Sequence, residues 1–183
     1  MWRTPRVLPV LARLALGRAD RGELKARWIA SALGEATPAQ AADWTSHFVP
    51  QLIAHGLHAD ALAAIEQHRR CGDTLVLLSA SPDLYVPAIG RALGFTESLC
   101  TGLEWRDDHL TGRLTTANRR GAEKVRCLQE LQQRYAQLPV VAYANAASDL
   151  PHLQLAQRGI LVNGAAAARR AAARLGITCV TWH

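Results

Sequence analysis

The sequence predicts an α/β fold in which helices cover both faces of a Rossmann-like parallel sheet, giving three layers, with a helical N-terminal region and a small β-hairpin. Apolar residues recur at helical spacing from residue 8 to residue 55. The unbroken run Thr74-Leu75-Val76-Leu77-Leu78 is typical of a strand that is buried on both faces. Strand-like and helix-like segments then alternate along the rest of the chain, which is the pattern of βαβ units.

The N-terminal region is predicted to be entirely helical. Thr37-Pro38 supplies an N-cap residue followed by proline at the first helical position, which fixes the start of one helix. Cys71-Gly72-Asp73 marks the end of a later helix, at residues 60–70. The predicted helices cover residues 8–17, 22–33, 38–55 and 60–70.

The alternating region is predicted to form the α/β core. Its expected strands are 74–78, 98–101, 140–143, 160–162 and 178–182, and its expected helices are 82–93, 124–138, 150–157 and 165–175. Two further short strands flank Asp107-Asp108-His109 and predict a hairpin, at residues 103–106 and 110–114. We therefore expect residues 1–57 to form a helical region and residues 58–183 an α/β core, together one compact unit.

Composition bounds the class of protein. A chain of 183 residues with 49% hydrophobic and 20% charged residues can bury one substantial core. No apolar run approaches the roughly 20 residues that cross a bilayer, and the basic N-terminus lacks a signal-peptide cleavage site. The cysteines lack the close pairs of zinc sites and disulfide frameworks, so we expect reduced thiols at Cys71, Cys100, Cys127 and Cys179. These observations predict a soluble, cytoplasmic protein.

The net charge of +6 and the isoelectric point near 9.7 raise the question of a polyanionic partner. The arginines are scattered and aromatic residues make up only 5% of the chain, so we expect no nucleic-acid partner. Basic residues between positions 3 and 27 are interleaved with leucines and Trp2, which leaves a membrane-surface or partner-docking segment open. An ordinary helix with a solvated basic face is the favoured interpretation. The histidines lack the spacing of metal ligands.

Two polar residues follow predicted strands of the core, where ligands bind in open parallel sheets. These are Ser79, after the strand 74–78, and Asn145, after the strand 140–143. Ser79-Ala80-Ser81 leads into a helix expected to start near Pro82, so the Ser79 hydroxyl and the backbone N–H groups would face an anion at a helix N-terminus. The alternative is that Ser81 is only the N-cap residue of that helix.

Lysine is rare in this arginine-rich chain and occurs only as Lys25 and Lys124. Lys124 lies near the start of a predicted helix, in Gly121-Ala122-Glu123-Lys124, where an ammonium group could neutralise a bound phosphoryl group. The alternative is a solvated residue in the charge pattern of an exposed helix face.

The stretch from Leu77-Leu78-Ser79-Ala80-Ser81-Pro82 to Asp149-Leu150-Pro151 resembles the phosphoserine phosphatase-like branch of the haloacid dehalogenase (HAD) superfamily. Within that branch the chain is most similar to phosphatidylglycerophosphatase C-like hydrolases, by Gly94-Phe95, Leu110-Thr111-Gly112-Arg113-Leu114, Asn118, Gly121-Ala122-Glu123-Lys124-Val125 and Leu161-Val162-Asn163. The resemblance implies a HAD-like fold with a helical cap inserted after the first strand, and on this pattern residues 1–57 would be the cap-like region.

The resemblance also implies a chemistry. An aspartate accepts the phosphoryl group, a second aspartate two residues later acts as acid and base, and Mg²⁺ is the cofactor. On this pattern Ser79, Ala80 and Lys124 take the phosphate-binding positions, and Asn145 and Asp149 take positions of the metal site.

The nucleophile motif, Asp-x-Asp, does not occur anywhere in these 183 residues. The usual Gly-Asp-Ser of the metal turn is Ala144-Asn145-Ala146 here, so an amide replaces the carboxylate closest to the metal, and only Asp149 remains. We therefore expect no intact catalytic set, no metal cofactor for this chain, and an inactive or impaired protein that binds a phosphorylated small molecule or another anion as a binding or regulatory module. The alternative is an active magnesium-dependent phosphomonoester hydrolase whose N-terminal strand is missing from this chain.

The first strand of the family lies between the two represented here by residues 74–78 and 140–143. Its loss would leave a gap of about 10 Å, twice the usual spacing of neighbouring strands. Val7-Leu8-Pro9-Val10-Leu11 is a poor candidate to fill it, because Pro9 cannot donate to a central ladder. We expect direct pairing of the two flanking strands, or a strand from a partner such as a second copy of the chain.

Overall fold

The computed structural model describes residues 21–136 and 138–183. The chain divides into two compact units. The first contains residues 21–56 together with Ser79–Asn118, and the second contains Leu57–Leu78 together with Arg119–His183. The predicted helix at residues 8–17 and the segment 7–11 lie outside the described residues. The predicted boundary between residues 57 and 58 remains a prediction.

The first unit combines helices with a β-hairpin. Its elements are the helices α1 (Arg21–Leu33), α2 (Pro38–His55) and α4 (Val86–Ala92), the later part of strand β1 (Val76–Pro82), and the strands β2 (Glu97–Thr101), β3 (Leu103–Arg106) and β4 (His109–Leu114). Strands β1 and β2 pair with each other, and β3 pairs antiparallel with β4.

Local chemistry explains the start of α2. The Gln40 N–H donates to the Thr37 hydroxyl oxygen at 3.3 Å, and the Thr37 N–H donates to the Gln40 side-chain oxygen at 2.9 Å. This reciprocal capping box satisfies two donors that a helix N-terminus otherwise leaves open. The helix bounds 38–55 predicted from the sequence are confirmed.

Helix α1 packs closely on the hairpin. Gly112 has φ +78, and a Cβ atom built there would come within 2.6 Å of the Ala30 backbone, so only glycine allows this approach. Ile29 and Leu110 are 3% and 1% exposed in the same cluster. The predicted hairpin is present, but His109 belongs to β4, so the connection is the two residues Asp107 and Asp108, with φ 48 and φ 57, the left-handed pair that such a turn requires.

The second unit is an α/β arrangement around parallel strands. Its elements are the helices α3 (Ala59–Arg70), α5 (Ala122–Arg134), α6 (Leu150–Leu155) and α7 (Ala166–Arg174), and the strands β5 (Val141–Ala144), β6 (Arg158–Val162) and β7 (Thr178–Val180). Strand β6 lies between β5 and β7 and is parallel to both. Its Leu161 is fully buried in a core with Leu153 and Ala172.

Two expectations about β1 need correction. The strand runs from Val76 to Pro82 instead of ending at Leu78, and the next helix begins at Val86 instead of Pro82. The reason is pairing across the sheet, because the Asp83 N–H donates to the Thr101 carbonyl at 2.9 Å and keeps the backbone extended beyond Leu78. The proline that suits a helix start is Pro87, in the first turn of α4.

The expected direct pairing of the flanking strands is also not found among the described residues. Strand β1 belongs to the ladder with β2, and β5 belongs to the ladder with β6 and β7. A strand supplied by a partner remains a prediction. None of the helices within residues 21–136 and 138–183 has both the length and the apolar character needed to cross a membrane.

Candidate anion-binding and metal positions

Ser79, Ala80 and Ser81 lie in the second half of β1. The Ser81 N–H donates to the Ser79 hydroxyl oxygen at 3.1 Å, a local bond between a hydroxyl and the backbone two residues on. A hydroxyl that accepts this bond can still donate its own hydrogen. The segment therefore offers an oriented hydroxyl donor.

This geometry corrects the expected phosphate seat. Helix α4 has only 7 residues, and its N-cap residue is Tyr85. The Ser79-Ala80-Ser81 segment is therefore not at a helix N-terminus, and Ser81 is not an N-cap residue. The expected helix N-terminus and the N-cap role of Ser81 are both wrong, because β1 continues through Ser81; phosphate binding by Ser79 and Ala80 stays a prediction. Any attraction for an anion comes from the hydroxyl and the backbone, not from a helix dipole.

A lysine of the helical region reaches this segment. The Lys25 ammonium donates to the Ala80 carbonyl oxygen and to the Asn118 side-chain oxygen. The Thr101 hydroxyl, which is fully buried, donates to the same Ala80 carbonyl at 2.8 Å and lies 3.4 Å from the Asn118 oxygen. Sequence reasoning noted Lys25 for the rarity of lysine and gave it no role at the site. That rarity was the only available signal.

Lys124 and Asp149 come together in the second unit. The Lys124 ammonium lies 3.0 Å from Asp149 Oδ2, and their side chains are only 13% and 7% exposed. Lys124 lies in the first turn of α5, and Asp149 ends the short 3₁₀ turn Ala147–Asp149 that follows β5. Lys124 is thus a largely enclosed ion-pair partner of the buried Asp149, and the solvated-surface interpretation is wrong.

His152 is a buried neighbour of this ion pair that sequence reasoning missed. It is 5% exposed, and its Nδ1 has no hydrogen-bond partner within the part of the chain that the structure describes. Burial lowers the pKa of His152, the positive charge of Lys124 lowers it further, and Asp149 acts in the opposite direction. The buried environment therefore favours the neutral form of the imidazole.

The positions that hold Mg²⁺ in the family do not form a suitable set of donors here. Asn145 is exposed and offers a neutral oxygen, whereas Asp149 is buried and already bonded to Lys124. Among residues 21–136 and 138–183, no three or more His, Cys, Asp or Glu side chains form a group that could hold a metal ion. Because Mg²⁺ needs a near-octahedral shell of hard oxygens, these residues do not fit the cofactor.

The α/β fold and the phosphatase-like order of serine, lysine and aspartate indicate a class of hydrolase. The family model for haloacid dehalogenase-like hydrolases matches residues 1–154, and the chain belongs to this family. The resemblance seen in the sequence is thereby confirmed.

Two relatives illustrate the match. The chain is 33% identical over 152 residues to the protein CicA of Caulobacter vibrioides, and this alignment covers 82% of this chain and 68% of CicA. It is 30% identical over 132 residues to a probable phosphatase of Mycobacterium tuberculosis, and this alignment covers 67% of this chain and 46% of that protein.

Two solved structures share the architecture. A protein of unknown function from Bordetella pertussis Tohama I has a TM-score of 0.80 at 21% identity, over 94% of this chain and 79% of that chain. The unliganded probable phosphoserine phosphatase from Vibrio cholerae has a TM-score of 0.75 at 18% identity, over 96% of this chain and 51% of that chain. At these identities the likeness concerns the fold, and it confirms the predicted HAD-like α/β class.

Proposed function

We propose that this chain is a catalytically inactive member of the haloacid dehalogenase-like family that acts in the cytoplasm as a binding or regulatory module. Its ligand is a phosphorylated small molecule or another anion, not a nucleic acid. The observation that supports the proposal most strongly is the ion pair at the metal position, where Asp149 is bonded to Lys124 at 3.0 Å.

The chemistry of the family explains why this ion pair matters. Covalent phosphoryl transfer needs a carboxylate nucleophile, and no Asp-x-Asp occurs in these 183 residues. Magnesium needs several hard oxygens, and Asn145 offers only a neutral one. The Lys124 ammonium, which is bonded to Asp149, also repels a divalent cation from this one retained carboxylate.

Donors suited to a phosphate group are nevertheless retained in each unit. The first unit retains the Ser79 hydroxyl and the Ala80 backbone, and the second, considered by itself, retains the Lys124 ammonium. Hydrogen bonds from charged or hydroxyl donors to a phosphate oxygen are among the stronger ones in proteins. A protein that keeps donors for a phosphate group but lacks the groups for phosphoryl transfer would bind an anion without hydrolysing it.

The test is turnover and binding measured on the same preparation. We expect no hydrolysis of p-nitrophenyl phosphate with Mg²⁺ above the blank, and measurable binding of inorganic phosphate by calorimetry. Asn145→Asp is the matched variant, because it restores one carboxylate without a nucleophile and should remain inactive. Turnover by the unsubstituted chain at about 1 s⁻¹ or faster, an ordinary enzymatic rate, would refute the proposal.

A second candidate function is favoured by the lengths of the relatives. The chain spans 68% of CicA and 46% of the mycobacterial relative, so an active magnesium-dependent phosphomonoester hydrolase with a further N-terminal strand is the alternative. The coding sequence upstream of Met1 should be read for an Asp-x-Asp motif, and the extended chain assayed beside the 183-residue chain. Hydrolysis by the extended chain alone would favour the alternative, and inactivity of both would favour the binding module.

The sheet adds a proposal about assembly. Because the nucleophile strand of the family has no counterpart among the described strands, a strand from a partner or a second copy would complete the sheet. Light scattering of the purified chain tests the homo-oligomeric form, and a monomer at all concentrations would exclude it.

A further inference from the structure

Lys25 and the Ser79 hydroxyl are linked through a single peptide plane in the first unit. The Ala80 carbonyl oxygen accepts hydrogen bonds from the Lys25 ammonium and the Thr101 hydroxyl. The N–H on the other side of the same peptide group belongs to Ser81, and it donates to Ser79 Oγ at 3.1 Å. The described chain has no cis peptide bond, so this C=O and N–H point in opposite directions.

This geometry makes the orientation of one group depend on the other. A planar peptide cannot rotate its N–H without also rotating its C=O. A cation and a buried hydroxyl on the carbonyl side therefore restrict where the Ser81 N–H points, and so which way the Ser79 oxygen faces. The contact is between residues 55 positions apart, so it is a tertiary feature and not part of the turn itself.

The packing of α1 on the hairpin fixes the position of Lys25. It lies on α1, which packs on the hairpin through Gly112 and Ala30 at a separation that admits no side chain. The segment that follows this helix is also held on the hairpin, because the Leu110 N–H donates to the Ala36 carbonyl at 3.0 Å. Hairpin, α1 and Lys25 therefore form one continuous support for the Ala80 peptide.

We propose that Lys25 is a positioning residue: by holding the Ala80 carbonyl, it orients the Ser79 hydroxyl for a phosphate-class anion and makes anion binding depend on the docking of α1. The anion-binding part of this inference rests on the proposed function. The ligand expected at the Ser79 hydroxyl is an oxyanion that accepts its hydrogen bond, such as the phosphate group of a phosphomonoester.

The experiment uses two readouts on the full chain, so that this inference and the proposed function can fail separately. Hydrogen exchange of the β1 peptide is measured without any anion, and the affinity for inorganic phosphate is measured by calorimetry. We expect Lys25→Met to speed exchange in β1 and to weaken phosphate binding about tenfold or more, the scale of losing hydrogen bonds from a charged donor. Lys25→Arg keeps the charge and the donors and should restore most of both.

Two control variants separate positioning from general effects. Arg27→Met removes the same charge from the same helix, but Arg27 is exposed and lies 3.7 Å from Glu23, so neither readout should change. In a Ser79→Ala background, Lys25→Met should have no further effect on phosphate affinity, because the group it orients is gone. If Lys25→Met disturbs folding, Thr101→Val removes the other donor to the Ala80 carbonyl and should show the same dependence on Ser79.

Each remaining outcome counts against the inference. Unchanged exchange in Lys25→Met would overturn it, whatever the phosphate affinity does. Equal losses in the presence and absence of the Ser79 hydroxyl would show a structural role without positioning. If Lys25→Met speeds exchange but the unsubstituted chain binds no phosphate, the proposed anion site fails, and only the anion-binding part of this inference fails with it.

Discussion

Breaking the Lys124–Asp149 ion pair should destabilise the chain strongly. The two side chains are 13% and 7% exposed, so Lys124→Met leaves a carboxylate in a dry environment without its cationic partner. Removing one member of a buried pair typically costs about 3–5 kcal/mol of the free energy of unfolding. Domains of this size are stable by only about 5–15 kcal/mol, so the variant should unfold at much lower denaturant concentrations.

The assay is urea unfolding followed by circular dichroism. Arg126→Met is the matched control, because it removes one positive charge from the same helix at a side chain that is 50% exposed, and it should lower the midpoint much less than Lys124→Met. The double variant Lys124→Met with Asp149→Leu removes both charges and should be more stable than Lys124→Met alone. A loss below about 1 kcal/mol in Lys124→Met, the range of surface pairs, would refute the inference that the pair is buried.

Three further predictions concern the second unit. Leu161→Ala should lower the free energy of unfolding by about 2–5 kcal/mol, because Leu161 is fully buried in the core; urea unfolding measures this, and a change within error would contradict it. Cys127 should alkylate far more slowly than Cys71 and Cys179, because it is 1% exposed and burial raises the pKa of its thiol; peptide mass spectrometry after iodoacetamide measures the rates, and equal rates would exclude a buried Cys127. His152 should make the chain less stable as the pH is lowered, because its pKa is lowered in the folded chain. The unfolded chain takes up more protons below the ordinary value of 6.5, so the stability present above that pH is lost between 6.5 and the lowered pKa of the folded chain. Urea midpoints between about pH 7.5 and 5.5 measure this, and His152→Asn should flatten the profile; an unaltered slope in that variant would assign the effect elsewhere.

Features fixed by neighbouring residues were predictable from the sequence. The bounds of α2 follow from the capping chemistry at Thr37, and the hairpin follows from the Asp107-Asp108 turn. The family resemblance also identified Lys124 and Asp149, although not that they bond to each other, because the two lie 25 positions apart. Spacing along the chain contains no information about such a pair.

The errors at β1 have the same origin. Ser81-Pro82 has the local appearance of a helix start, and the structure overrides it because Thr101 pairs with this segment. Lys25 was missed for a related reason, since its partners Ala80 and Asn118 are 55 and 93 positions away. Local propensity decides an element only where tertiary partners do not compete with it.

The buried carboxylate at Asp149 has a consequence for selectivity. An ammonium group that already has an anionic neighbour gives up that neighbour only to a competitor that interacts more strongly. A singly charged guest such as chloride or acetate gains little from such an exchange, whereas a dianion gains about twice the Coulomb energy at the same separation. If an anion binds Lys124 as proposed, we expect the neighbouring Asp149 carboxylate to favour doubly charged anions over the singly charged anions of common salts.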